Sequence, residues 1–284
     1  MINTISEAIR LNDGNSMPGF GLGVYKAKAG EETYSTVMTA LELGYRMIDT
    51  AAFYNNEEDV GKAVRDSGIP RNEIFIATKL WPQYFNNAET EFNESYNKLG
   101  LDYIDLYMLH WPGLDEKLRY SAWETILKYK EKGMIRSAGV SNFLAEQLEE
   151  MTQKTGVTPV NNQVELHPWN QQREVRKYCQ ENGITVTAWG PIFHGHLNEE
   201  PVMAEIGQKY GKSPAQVTLR WHIQNGVIAI PKSSNKERLT ENILLFDFSL
   251  LPEDMELIDS LDGKTRFGAS PLVFDGSQVA NNRK

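Results

Sequence analysis

Short apolar runs recur along the chain, and each is followed by a polar loop. Seven runs of four to seven residues have the length of buried strands. Most begin 24 to 31 residues after the previous run, which is the span of one strand and one helix, and the last gap is 43 residues. The pattern therefore predicts strands at residues 45–49, 74–79, 104–110, 135–140, 160–164, 184–188 and 227–230.

The segments between these runs have the spacing of amphipathic helices. Tyr34, Val37 and Leu41 lie at i, i+3 and i+7 and so share one helix face. Several such segments end at a glycine, which readily adopts the positive φ that closes a helix. These glycines are Gly44, Gly100, Gly133 and Gly183. The 43-residue gap leaves room for a long loop and an extra helix, and Ser213 followed by Pro214 is a helix start signal.

Strands that alternate with helices favour a parallel sheet. A further run at residues 19–24 supplies an eighth strand, and an Asp-Gly turn within residues 9–17 predicts a hairpin ahead of it. No linker marks a boundary, so we predict one domain over residues 1–284. Eight repeats favour an α/β fold closed into a (β/α)8 TIM barrel with an N-terminal β-hairpin. The alternative is an open doubly wound sheet, which lacks its Gly-x-Gly-x-x-Gly turn here.

Charge and composition exclude several classes of partner. The chain has 284 residues, 40% apolar content and a formal net charge of -9, which argues against nucleic acid or an anionic membrane surface. No apolar run approaches the roughly 18 residues that suggest a membrane span. A single cysteine, Cys179, rules out an intramolecular disulfide framework. We therefore expect a soluble cytoplasmic protein, and we expect a monomer.

Ionisable side chains close three consecutive predicted strands. Asp49, Lys79 and His110 each end an otherwise apolar run, and Tyr54 lies in the loop after Asp49. Each alone is more often ordinary: a loop cap, a solvated cation or a core histidine. In a barrel, however, the carboxyl ends of the strands share one mouth, where catalytic groups lie. A buried lysine or aspartate also needs a partner, because an unpaired buried charge is strongly destabilising.

These residue types suit the protonation of an oxyanion. A phenol with a pKa of about 10 is a poor acid at neutral pH unless its anion is stabilised. A lysine nearby would stabilise the phenolate, and an aspartate would keep that lysine charged. A neutral imidazole would donate a hydrogen bond to the substrate oxygen. The set therefore predicts hydride addition to a carbonyl group, with Tyr54 as the proton donor.

The sequence around these residues resembles the signature of the aldo-keto reductase superfamily. The segment Asp-Thr-Ala-Ala-Phe-Tyr-Asn-Asn-Glu, residues 49–57, matches the part that carries the catalytic Asp49 and Tyr54. Lys79 in Ala-Thr-Lys-Leu-Trp and His110 in Leu-His-Trp-Pro match the other two catalytic positions. The resemblance covers nearly the whole chain and is closest to bacterial 2,5-diketo-D-gluconate reductases and methylglyoxal reductases. It implies that NADPH binds extended at the barrel mouth.

The resemblance also assigns residues to the nicotinamide end of the cofactor. Ser141 and Asn142, in Gly-Val-Ser-Asn-Phe, and Gln163, in Asn-Asn-Gln-Val-Glu, match the residues that hold the carboxamide. Trp189 matches the aromatic residue that stacks on the nicotinamide ring, and Gly190 follows it at the cofactor. Many relatives have tyrosine at the stacking position, but tryptophan presents a larger face.

A basic segment matches the adenosine end. The resemblance places Lys232, Ser233 and Arg238 at the 2′-phosphate and Asn242 at the adenine. The residues themselves agree, since Lys232, Lys236 and Arg238 cluster at a predicted helix start, and a helix N-terminus with basic side chains binds phosphate. The alternative is an ordinary solvated helix end. This cluster on an acidic chain favours NADPH over NADH.

Aromatic residues after the strands are candidates for the substrate pocket. Tyr25, Trp81 and Trp111 follow strands one, three and four, and we predict that they line the pocket together with His110. The alternative is packing beneath the loops. Residues 263–284 correspond to a C-terminal loop that tunes substrate choice in relatives, although such a tail is also often poorly ordered.

One loop departs from the family pattern. After Trp189-Gly-Pro, relatives commonly continue Leu-Gly, whereas this chain has Ile-Phe-His-Gly-His at residues 192–196. That loop lies over the cofactor diphosphate in relatives, so the resemblance does not fix how strongly the loop of this chain binds the cofactor. His194 and His196 have a spacing that metal ligands can have. Two such residues without a third indicate a polar loop, and we predict no metal site.

The function we predict is NADPH-dependent reduction of small aldehydes and ketones to alcohols. His110 supports this, because relatives that reduce steroid C=C bonds carry glutamate there. The main alternative is a redox-sensing module that binds NADPH with little turnover, and the complete set of four residues argues against it. A purely structural role has no supporting feature in the sequence.

Overall fold

An antiparallel hairpin opens the fold and covers the amino end of the sheet. The computed structural model describes residues 2–278, except for the side chains of residues 194 and 198. Strands β1 (Ala8–Arg10) and β2 (Ser16–Pro18) pair with Ile9 opposite Met17, which confirms the predicted hairpin. Met17 is buried with residues from inside the barrel, so the hairpin closes the amino end of the barrel.

Eight parallel strands follow in sequence order around one curved sheet. The sheet closes where Phe20 bridges Ala229, and the amide of Gly21 donates to the carbonyl of Ala229 at 3.0 Å. The predicted (β/α)8 barrel is therefore confirmed. The strands are β3 (Leu22–Gly23), β4 (Met47–Asp49), β5 (Phe75–Leu80), β6 (Ile104–Leu109), β7 (Ile135–Ser141), β8 (Asn161–Glu165), β9 (Thr185–Trp189) and β10 (Ile228–Ala229).

Helices cover the outside of the barrel. The four glycines predicted to end helices all have positive φ, between 58° and 97°. The long gap before the last strand holds two helices, as expected, and the second is capped by Ser213, whose Oγ accepts from the amide of Gln216 at 3.3 Å. The helices are α1 (Glu31–Glu42), α2 (Glu57–Asp66), α3 (Ala88–Leu99), α4 (Glu116–Glu131), α5 (Ala145–Thr155), α6 (Arg173–Glu181), α7 (Pro201–Tyr210), α8 (Pro214–Gln224), α9 (Lys236–Ile243) and α10 (Pro252–Asp259).

The first barrel strand is shorter than the predicted run at residues 19–24. Only Leu22 and Gly23 form a regular ladder with β4. A Cβ on Gly21 would stand 2.4 Å from the Met47 side chain, so Met47 fills the space beside a bare backbone. The interior methionine therefore requires glycine here, and glycine is a weak strand former.

Within residues 2–278, no helix is both long and apolar enough to cross a membrane.

Helices α2 and α3 touch through a glycine. A Cβ added to Gly61 would stand 1.9 Å from the carbonyl oxygen of Leu99, far inside van der Waals contact. Because Gly61 is buried and the obstacle is backbone, no side-chain rotation relieves the clash. This contact fixes the spacing of two helices behind the strands that carry Asp49 and Lys79.

We predict that Gly61→Ala lowers the free energy of unfolding by at least about 2 kcal/mol. The loss should exceed the roughly 1 kcal/mol that alanine gains over glycine in helix propensity. Chemical denaturation measures it, and Lys62→Ala, at an exposed position of the same helix, is the control and should change stability little. Wild-type stability in Gly61→Ala would contradict the close contact.

Candidate active site

The four predicted catalytic residues converge at the carboxyl end of the barrel. Asp49 ends β4, Lys79 lies near the end of β5, and His110 follows β6 directly. The strand ladder extends to this level, since the amide of His110 donates to the carbonyl of Leu80 at 2.9 Å. A short 3-10 helix, Ala52–Tyr54, then brings the Tyr54 ring back over the same place.

Asp49 and Lys79 form a buried ion pair beneath the barrel mouth. Lys79 Nζ lies 2.6 Å from Asp49 Oδ1 and donates to the carbonyl of Thr50 at 2.8 Å. The other carboxylate oxygen accepts from Gln163 Nε2 at 2.8 Å. Since β4 and β8 are four strands apart in either direction, this last bond spans the barrel. Burial lowers the pKa of Lys79, and Asp49 opposes that effect.

The Tyr54 ring lies between the ion pair and the other aromatic groups. Its centroid is 5.1 Å from Lys79 Nζ, 5.0 Å from the Tyr25 ring and 5.6 Å from the His110 ring. Burial, followed by the negative charge of Asp49, raises the pKa of Tyr54 well above its ordinary value. Lys79, which is paired with Asp49, does not offset the effect of burial on the pKa of Tyr54. The phenol is held in its protonated form.

His110 is a neutral imidazole. Burial, together with the nearby charge of Lys79, lowers its pKa well below the ordinary value. Its Nδ1 is buried and has no hydrogen-bond partner among the described residues. The backbone is held in place, since Asn142 Nδ2 donates to the carbonyl of His110 at 2.9 Å. A neutral ring suits donation of a hydrogen bond without a change of charge.

A cavity of about 1080 Å³ opens above these groups. Among the predicted nicotinamide residues, Asn142, Gln163, Trp189 and Gly190 line it. The indole Nε1 of Trp189 donates to Asn142 Oδ1 at 2.8 Å, and this hydrogen bond holds the indole beside Asn142. Ser141 does not line the cavity: it is buried, and its Oγ donates to the carbonyl of Gln163 at 2.8 Å. Lys79 likewise lies beneath the cavity, while Asp49, Tyr54 and His110 line it.

The predicted adenosine residues lie together at another part of the cavity. Lys232, Ser233, Arg238 and Asn242 all line it, with Ser233 and Asn242 buried. Neither Lys232 nor Arg238 forms an ion pair with a carboxylate in the described part of the chain. Two cations without a protein counter-ion favour an anionic ligand here. Lys236, the third basic residue of the cluster, does not line the cavity.

Aromatic side chains form a wall beside Tyr54. Trp81 and Trp111 are buried and line the cavity, and Tyr25 lines it while 40% exposed. Phe274, from the C-terminal segment, packs on both tryptophans, with ring centroids 5.6 Å from Trp81 and 4.2 Å from Trp111. The described part of the predicted C-terminal loop, residues 263–278, therefore reaches the cavity. Residues 279–284 lie outside the described residues.

The loop that departs from the family pattern lies along the cavity. Phe193 has φ 44°, and its buried ring packs 4.3 Å from His167. His222 Nε2 lies 3.1 Å from the carbonyl of Pro191, which anchors the start of the loop. His196 lines the cavity, while the side chain of His194 lies outside the described residues. Among the residues described, no three histidine, cysteine or acidic side chains cluster in a way that could hold a metal ion.

Several cavity residues were not predicted from the sequence. Ser213 and Pro214 were recognised only as a helix start, although the N-terminus of α8 faces the cavity. Glu241 accepts a hydrogen bond from Ser213 beside Asn242. A helix start close to a basic segment is a usable signal for an anion site. Phe53, Glu199 and Ala215 line the cavity without such a signal. Ile192, Gly195, His196, Gly268 and Ala269 belong to the two loops that the family resemblance placed at the cofactor and the substrate.

Together, these features define an α/β barrel enzyme with a long cavity that runs from a tyrosine above a buried ion pair to a basic helix start. A family model for the aldo/keto reductase family matches residues 19–263. The chain therefore belongs to the aldo/keto reductase family, as the motifs indicated.

Individual relatives match over nearly their whole length. Glyoxal reductase of Bacillus subtilis is 43% identical over 278 residues, covering 96% of this chain and 100% of the relative. Methylglyoxal reductase DkgA of Yersinia pestis is 42% identical over 273 residues, covering 95% and 98%. The crystal structure of a mutant of Gox0644 in complex with NADPH superposes with a TM-score of 0.90 at 40% identity, covering 95% and 98%.

The anchor of the cavity loop predicts a pH effect on stability. Burial lowers the pKa of His222 from its ordinary 6.5 to about 3. His222 therefore binds a proton in the unfolded chain but not in the folded chain, and stability is lost as pH falls from about 6.5 towards 3. His222→Gln removes this contribution and can still donate to Pro191.

Denaturation at pH 6.5 and 5 should show a decrease in wild-type stability that exceeds that of His222→Gln. The difference should approach about 1.4 kcal/mol per pH unit below pH 6.5. Equal pH dependence in the two proteins would mean that His222 is not held neutral in the fold.

Proposed function

We propose that this protein reduces small aldehydes and ketones, 2-oxoaldehydes such as glyoxal and methylglyoxal among them, to alcohols with NADPH. The observation that carries the proposal is the placement of Tyr54 and His110 on the floor of one cavity, directly above the Asp49–Lys79 ion pair. The names of the relatives support the choice of substrate class. Structural neighbours in complex with NADPH and with NADP support the cofactor.

The cavity fits NADPH by its chemistry. Lys232 and Arg238, which have no counter-ion within residues 2–278, would bind the 2′-phosphate, with Ser233 beside them and Asn242 at the adenine. Asn142 and Gln163 would hold the carboxamide, with Ser141 supporting both from beneath, and Trp189 and Gly190 would lie along the nicotinamide. A volume of about 1080 Å³ leaves room for a small substrate as well.

NADPH supplies the hydride that adds to the carbonyl carbon. The protein supplies the proton and the orientation: the neutral His110 imidazole donates a hydrogen bond to the carbonyl oxygen, and Tyr54 gives that oxygen its proton. The raised pKa keeps Tyr54 protonated until the oxygen becomes strongly basic. Lys79, 5.1 Å from the ring, then stabilises the phenolate that remains. Tyr25, Trp81 and Trp111 exclude water from the reacting carbonyl.

We predict that Tyr54→Phe loses reduction of methylglyoxal by at least about 1,000-fold while NADPH affinity changes less than about three-fold. The ring remains and only the proton donor is lost. Steady-state NADPH oxidation and equilibrium NADPH binding measure the two effects. Tyr34→Phe, which removes a phenol that bonds Asp66 on the surface, is the control and should keep its activity.

Near-normal turnover in Tyr54→Phe would overturn the assignment of the proton donor. A wild-type protein that binds NADPH tightly but reduces no aldehyde in a panel would instead favour a redox-sensing module.

A second prediction concerns the choice between cofactors. Arg238→Ala should weaken NADPH binding by roughly 30-fold or more and NADH binding by less than about three-fold, since only NADPH carries the 2′-phosphate. Lys236→Ala is the matched control, because Lys236 lies at the same helix start but does not line the cavity. Equal losses for both cofactors in Arg238→Ala, or equal effects of the two variants, would remove the 2′-phosphate assignment.

A further inference from the structure

A buried carboxylate outside the four catalytic residues holds the C-terminal segment. Glu165 is the last residue of β8 and is only 1% exposed. Its Oε1 accepts from the backbone amide of Phe267 and lies 3.0 Å from His167 Nε2, while Oε2 accepts from the amide of Gly268 at 2.6 Å. Burial raises the pKa of Glu165, but these hydrogen bonds outweigh it and the pKa lies below its ordinary value. The carboxylate is thus ionised, and both of its oxygens accept hydrogen bonds.

Gly268 is pressed between this carboxylate and the indole of Trp189. A Cβ on Gly268 would stand 2.7 Å from Trp189 Cη2 and 2.9 Å from Glu165 Oε2. The backbone of Gly268 is therefore in direct contact with the edge of the indole. Glu165 and Trp189 are also paired residues on neighbouring strands, so both ends of this contact are fixed by the barrel.

The opposite edge of the indole is held as well. Trp189 Nε1 donates to Asn142 Oδ1 at 2.8 Å, and Asn142 in turn donates to the carbonyl of His110. Trp189 is only half-buried, so one face of its ring lies towards the cavity. The indole plane is therefore set by Asn142 on one side and by Gly268 on the other.

We infer that Glu165 is a positioning residue for the nicotinamide subsite, which it controls by holding Gly268 against Trp189. This inference rests on the proposed function for the identity of the stacked ring. It assigns the C-terminal segment a role at the cofactor as well as at the substrate. Release of the two amides from Glu165 would free the indole to tilt, and the stacked ring would lose its fixed distance to the substrate carbonyl.

The test uses the contact between two aromatic rings as its readout. Indole is an electron donor and the oxidised nicotinamide an acceptor, so a stacked pair gives a charge-transfer absorption when NADP⁺ is added to the protein. We expect Glu165→Gln to lose more than about half of this absorption at saturating NADP⁺. We expect the kcat for methylglyoxal to fall roughly ten-fold, since the amide nitrogen of glutamine cannot accept from a backbone amide.

Glu200→Gln is the matched control. Glu200 is also a buried carboxylate that tethers the C-terminal segment, through Lys264 Nζ at 2.6 Å. It accepts from Trp169 Nε1 at 2.9 Å, which is not the indole at the cavity. Its absorption with NADP⁺ should match the wild type. Equal losses in Glu165→Gln and Glu200→Gln would show a general tether and overturn the inference.

A second variant covers the case in which Glu165→Gln does not fold. Gly268→Ala keeps Glu165 in place in the sequence but sets a methyl group against both the indole and the carboxylate, and it should also lose the charge-transfer absorption. Full absorption in folded Gly268→Ala, or no absorption in the wild type, would overturn the inference. Absorption that responds as expected in a wild type that reduces no carbonyl would support the inference and overturn the proposed function.

Discussion

The buried ion pair between Asp49 and Lys79 is the constraint on which the rest of the site depends. Both side chains have left water almost completely, and loss of one partner would leave a buried charge that costs about 3–5 kcal/mol. The second oxygen of Asp49 bonds Gln163 on the opposite wall of the barrel. Only a closed sheet brings β4, β5 and β8 to one point, so the fold and the site require each other.

This pair also decides the charge that Tyr54 experiences. Lys79 and Asp49 carry opposite charges that lie side by side near the phenol, so their effects on the pKa of Tyr54 oppose each other. Burial is then the largest effect, and it raises this pKa. The lysine does not make the free tyrosine acidic. In the proposed reaction its effect is differential, because the ammonium would attract the phenolate that exists only after proton transfer. Such an arrangement favours the later stages of reaction over the resting state.

Much of the barrel, and the convergence of the four predicted residues at its mouth, could be predicted from the sequence because both depend on local patterns. Apolar runs of fixed length gave the strands, and three ionisable residues at consecutive strand ends indicated Asp49, Lys79 and His110. The failures are non-local. The glycine next to β3 is required by a contact with Met47, the raised pKa of Tyr54 follows from its burial beside Asp49, and the cavity residues follow from the direction of α8. Nothing in the sequence near Glu165 shows that it receives two amides from residues about a hundred positions away.

The most direct test of carbonyl reduction with Tyr54 as proton donor is a single turnover with NADPH in which both hydrogens at C4 are deuterium. The protein is saturated with the labelled cofactor and mixed with methylglyoxal, and the product is examined by mass spectrometry and NMR. We predict that the wild type places deuterium on the carbinol carbon and that Tyr54→Phe, with the cofactor still bound, places almost none there. A wild-type product without deuterium, or deuterium that is transferred equally fast by both proteins, would contradict the proposed chemistry.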